Sequence, residues 1–134
     1  MTDDPFLELV HHTLDLMNGA FLRRGDPYTY AHEFYHQFRK LWDRGIPVGM
    51  GLGHLLIFGE TEASLVVVRR PDGSGPDEPI AAIEFGARAA IARLAFVKQT
   101  VGYRYALAIL VRTDEKTAPL ADDSSGVIVI NKFL

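Results

Sequence analysis

Apolar residues recur at three- and four-residue spacing near the start of the chain, where Phe6, Val10, Leu14, Met17 and Phe21 share one side of a helix. The spacing predicts a helix over residues 5–24, capped by Asp4, entered through Pro5 and stopped by Gly25. Asp26-Pro27 repeats the cap-and-proline start and opens a second helix that runs to about Asp43. On a helical wheel, Tyr30, Ala31, Phe34, Tyr35, Phe38, Leu41 and Trp42 fill one arc, and His32, His36, Arg39 and Asp43 fill the charged arc. Glu33 and Gln37 fall on the border between them. The stretch Gly45 to Gly53 is glycine-rich, holds Pro47, and reads as a loop.

Beyond it the apolar pattern changes to short runs. Residues 54–58 and 65–69 read as two strands of a hairpin joined through Gly59-Glu60-Thr61-Glu62. Residues 71–79 are a polar turn region and 80–85 a third strand. Residues 87–99 suit a helix, and its alanines (Ala87, Ala89, Ala90, Ala92, Ala95) would let it pack closely on a sheet. Residues 103–111 are the most apolar run and read as a central strand; 112–126 are loop and 127–133 a last strand. The predicted order is α-α-β-β-β-α-β-β, an α/β (α+β) fold with a mixed sheet flanked by helices. The strand–helix–strand crossover over 80–111 requires at least one parallel pair.

A chain of 134 residues predicts one domain, read here as an N-terminal helical part (1–26), a core (27–111) and a loop with a C-terminal strand (112–134). The lack of cysteine removes disulfides, thiolate zinc sites and a cysteine nucleophile. The apolar runs are too short for a membrane span, and Met1-Thr2-Asp3-Asp4 lacks the basic start of a signal peptide. The expectation is therefore a cytoplasmic protein with no membrane partner.

A net charge of −3 excludes a simple polybasic binder, yet Phe85 to Thr113 carries Arg88, Arg93, Lys98, Arg104 and Arg112 with no acid. Such a segment suits an anionic partner, so Arg69, Arg70, Arg88, Arg93 and Lys98 are the candidate nucleic-acid contacts. The continuous run Val127-Ile128-Val129-Ile130 is expected to be buried or to lie against another chain, and edge pairing would make a homodimer.

Residues 32–36 spell His-Glu-Phe-Tyr-His. On a helix His32 and His36 lie one turn apart, a spacing that binds Zn²⁺ in peptidases with the intervening Glu33 as general base. Against this, both histidines fall on the charged arc, where a helix usually meets water, and their candidate third ligands (His54, Glu60, Glu62) lie on or beside predicted strands. The expectation is that His32 and His36 are exposed. Gly49-x-Gly51-x-Gly53 precedes a strand, whereas a phosphate loop follows one, so it is read as a plain loop.

Three further segments carry a family pattern. They are Ala31-His32-Glu33-Phe34-Tyr35-His36-Gln37-Phe38-Arg39-Lys40-Leu41, then Ala63-Ser64-Leu65-Val66-Val67-Val68, then Ile80-Ala81-Ala82-Ile83-Glu84-Phe85-Gly86. With the helix and strand that follow, residues 27–111 resemble the PD-(D/E)XK, or restriction-endonuclease-like, nuclease superfamily. The resemblance implies a core of helix, three antiparallel strands, helix and strand, with Glu33 on the first helix near Glu84 on the third strand. It also implies two carboxylates holding Mg²⁺ and a lysine orienting water.

The chain departs from that pattern. Ser64 stands at the aspartate position and Gly86 at the lysine position. Serine lacks the charge that a hard cation needs, and glycine has no side chain to hold water. Glu62, two residues before Ser64 on the same strand face, and Arg88, one helical turn from Glu84, are the replacements at hand. Three readings follow. The first is a nuclease-fold domain with a decayed site and no cofactor, acting as a nucleic-acid or protein interaction module. The second is a Mg²⁺-dependent nuclease using Glu33, Glu62, Glu84 and Arg88. The third is a zinc peptidase using His32, Glu33 and His36.

Overall fold

The structure, a computed structural model, describes residues 4–17, 27–59, 65–70, 76–85, 89–112 and 126–133. Helix α1 spans Pro5–Asp15 and α2 spans Pro27–Asp43. A single turn, α3, spans Ile46–Gly49. Strands β1 (His54–Gly59), β2 (Leu65–Arg70) and β3 (Glu78–Phe85) follow. Helix α4 (Ala89–Val97) runs into a π-helical segment at Lys98–Gly102 before β4 (Tyr105–Arg112) and β5 (Ile128–Phe133).

The five strands form one sheet in the order β1-β2-β3-β4-β5. β1–β2 and β2–β3 pair antiparallel; β3–β4 and β4–β5 pair parallel. This is a mixed α/β sheet with the parallel pair that the crossover required. Among the described residues no helix is long and apolar enough to cross a membrane.

The sheet separates two cores. On one face α1 and α2 bring Phe6, Leu9, Val10, Phe34, Phe38 and Leu41 onto Leu55, Ile57, Val67, Ala81, Ile83, Phe85, Leu107 and Ile109. On the other, α4 lays Ile91, Leu94 and Val97 over Val66, Ala82, Ala106 and Ala108. The sheet presents its own alanines beneath the bulky residues of α4, and Ala95 of the helix packs against the same cluster.

Two expectations are corrected. Helix α1 ends at Asp15, not residue 24: the Leu16 amide bonds the Thr13 carbonyl at 3.1 Å and the Met17 amide that of Leu14 at 3.2 Å, which tightens the last turn. Met17 is buried. Residues 18–26 lie outside the described residues. The segment after α2 is not all loop. Gly45, at φ 76°, turns the chain out of α2, and Pro47 sits in the first turn of α3, where a missing N–H costs nothing.

A bulge between β2 and β3 leaves Ile80 as an extra residue between Pro79 and Ala81, so both Ile80 and Ala81 join the α1 side. Pro79 sits beside that bulge, one of the sheet positions to which proline is confined.

Asp4 fastens α1 to the sheet. Its carboxylate accepts from the amides of Phe6 (2.9 Å) and Leu7 (3.3 Å) and from the Tyr105 hydroxyl, whose ring stacks on Phe6 at 5.2 Å. Burial first, then the bond to Asp4, pushes the Tyr105 hydroxyl up from 10.0 to about 12. The unfolded chain therefore loses this proton before the native protein does, and stability falls as pH rises through that window. The expected result is that the stability advantage of the wild type over Tyr105→Phe shrinks as urea-unfolding measurements move from pH 10 to pH 12.

Candidate functional site

Glu84 is the one acidic or basic side chain in the buried core of the described residues, 4% exposed near the end of β3. Strand alternation decides what it faces. Phe85 packs on Phe34 of α2, with ring centroids 5.6 Å apart, so Glu84 points to the opposite face. There the Arg93 guanidinium, projecting from α4, donates to its carboxylate. A carboxylate on an alanine-lined face needs such a partner, because an isolated buried charge is costly.

Glu33 lies on α2, on the other side of the sheet, where its carboxylate accepts from the Gln37 amide at 2.8 Å. The structure therefore does not bring Glu33 and Glu84 into one cleft, as the nuclease resemblance implied. Glu62, Ser64, Gly86 and Arg88 lie outside the described residues. A hard divalent cation takes several oxygen ligands. At Glu84 the described residues offer one carboxylate, and it carries the Arg93 guanidinium.

His32 and His36 are exposed on α2, as their place on the charged arc predicted. The residues between them do the anchoring: Phe34 is buried and Tyr35 half-buried. His54 is exposed at the start of β1, and Glu60 and Glu62 lie outside the described residues. Among the described residues no three His, Asp or Glu side chains are grouped to hold a metal ion.

Three of the five cations expected to meet nucleic acid, Arg69, Arg70 and Arg93, have acidic neighbours. Arg70 is bidentate on Asp77, at 3.1 and 3.2 Å, and that hydrogen bond holds the Asp77 carboxyl below its usual range. Arg104 and Arg69 share Glu78, Arg69 at 4.0 Å. Arg93 serves Glu84. Lys98 is half-buried and reaches Gly126, where a β-carbon would sit 3.3 Å from Nζ. Arg88 lies outside the described residues. The segment from Phe85 to Thr113 has no acid of its own, but the fold supplies acids from β3.

The sequence pattern did not single out Glu78 or Asp77, and it left Arg93 among surface cations. One signal for the last pairing was present: a lone Glu on an alanine-rich strand calls for a cation from the next helix. β5 forms one edge of the sheet, as the homodimer expectation requires, but Val129 and Asn131 already make contacts of their own. No protein-family model, curated protein or solved structure matches the chain.

Proposed function

We propose that this chain is a non-catalytic interaction domain with a nuclease-like order of elements, and that its partner is a protein rather than a nucleic acid. The observation that carries this is the state of Glu84, buried and neutralised by Arg93 on the face away from Glu33. A metal-dependent phosphodiesterase needs its carboxylates converged on one ion, with a free cation near the water. Here the carboxylate and the cation consume each other.

The β1-β2-β3 meander followed by α4 and a parallel β4 supports the resemblance in topology. The separation of Glu33 from Glu84 counts against it in the site. A protein partner is favoured because Arg69, Arg70, Arg93 and Arg104 are engaged by carboxylates. Phosphate binding would have to compete with each pairing. Phe96, 69% exposed on α4, is a solvent-facing aromatic of the kind enriched in protein interfaces.

The test is a nuclease assay on DNA and RNA with Mg²⁺ or Mn²⁺, together with oligonucleotide binding across a salt series. The expected result is no metal-dependent cleavage and only weak binding. Cleavage by the wild type that Glu84→Ala abolishes would overturn the non-catalytic reading. Tight binding that falls steeply with salt would overturn the choice of protein over nucleic acid.

A further inference from the structure

A cavity of about 300 Å³ opens between the start of α1 and the ends of β2 and β4, away from Glu84. It lies at the small end of the range for ligand sites. Its floor is apolar, formed by Phe6, Leu52, Leu55 and Ile80. The β3 bulge is what turns Ile80 to this side. Arg69 and Arg104 stand on its rim. We propose that this cavity binds a small organic carboxylate with an apolar body, the carboxylate held by Arg69 and Arg104. The proposal goes beyond the interaction role above and does not depend on it.

The charge balance selects the ligand. Both guanidiniums lean on one carboxylate, Glu78, which does not line the cavity. Against the two arginines stand Glu78 outside the cavity and Asp4 on its wall, so the site is close to neutral overall and accepts a monoanion more readily than a phosphate dianion. The pair also carries more N–H donors than one carboxylate can accept, and the planar fork of arginine fits a second carboxylate.

Asp4 lines the wall as well; the α1 amides and the Tyr105 hydroxyl occupy its oxygens as acceptors, while its negative charge remains part of the balance. Gly53, whose φ of 68° suits glycine, lies beside Arg69: a β-carbon there would make ordinary contact with Nε at 3.4 Å. Glu78 thus holds two cations beside an apolar floor, the combination of apolar lining and a few polar groups found in ligand pockets.

Benzoate is the probe, titrated into the ¹⁵N-labelled full chain and followed by amide chemical shifts. Benzyl alcohol and benzylamine are the neutral and cationic controls. The expected result is saturable movement of the Phe6, Leu52 and Ile80 amides with benzoate and much weaker movement with either control. Arg104→Gln and Arg69→Gln are each expected to weaken benzoate roughly tenfold, the loss typical of one charge-assisted contact. Both side chains are about half-exposed, at 56% and 44%, so the fold should tolerate the changes. Absence of saturable shifts, equal binding of benzyl alcohol, or unchanged affinity in both variants would overturn the proposal. If a variant lost its folded spectrum, the wild-type comparison of benzoate with benzyl alcohol would decide alone.

Discussion

Replacing Phe34 with alanine is expected to lower the free energy of unfolding by about 3–5 kcal/mol, the range for deleting a buried aromatic side chain. Phe34 is fully buried, 0% exposed, at the joint of α2 and β3. Its ring lies 6.0 Å from Phe38 on α2 and meets Phe85 of β3 edge-on at 5.6 Å. Alanine would leave a cavity between helix and sheet that rigid neighbours fill poorly. Small domains have total stabilities of only about 5–15 kcal/mol, so a large part of the folded margin would go. His32→Ala and His36→Ala, on the exposed arc of the same helix, should change stability by no more than about 0.5 kcal/mol. Urea unfolding of the three variants measures the contrast. A loss below about 1 kcal/mol for Phe34→Ala would mean that the helix–sheet joint is not where the packing energy resides. Histidine variants costing as much as Phe34→Ala would instead give the His-Glu-x-x-His pattern a structural role that its exposure does not explain.

That motif shows what the sequence made legible and what it hid. The wheel of α2 separated Phe34, Phe38 and Leu41 from His32 and His36 because the whole helix lies on one face of a sheet, so a single periodicity describes it. The β1–β2 hairpin and the parallel β3–β4 pair were legible for a similar reason: local turn residues and one crossover determine them. Features set by three-dimensional neighbours were not. Strict alternation places Ile80 with Ala82 and Glu84, but the bulge moves it to the α1 side, where it lines the cavity. Counting charge along Phe85–Thr113 found a basic segment, but Glu78 and Glu84 precede it on β3 and fold back against it. Glu33 sat on the wheel's border and Glu84 on a strand. Which side of the sheet each occupied depended on packing α2 and α4 on opposite faces, a choice that neither local pattern encodes.

Arg93→Ala is expected to cost about 2 kcal/mol, less than the roughly 3–5 kcal/mol typical of breaking a fully buried pair. Two facts set the discount. The Arg93 side chain is 60% exposed, so water screens its end of the interaction. Glu84 also keeps contacts other than Arg93, so the carboxylate is not stranded. The remaining cost is that a carboxylate only 4% exposed loses its cation on a face lined by Ala82, Ala106 and Ala108. A double-mutant cycle isolates it. In the Glu84→Gln background the charge is gone, and Arg93→Ala should then cost roughly 1 kcal/mol less than it does in the wild type. Urea unfolding at neutral pH and low salt measures all four proteins. A structural pair predicts coupling in stability. If Arg93→Ala left stability unchanged in both backgrounds, the guanidinium would be free for an external anion, and Glu84 would owe its burial to its other contacts. That result would reopen the nucleic-acid reading, because the cation nearest the acid of β3 would then be available to phosphate. Strong coupling instead ties α4 to the sheet through this pair and leaves Glu84 no charge to offer a metal.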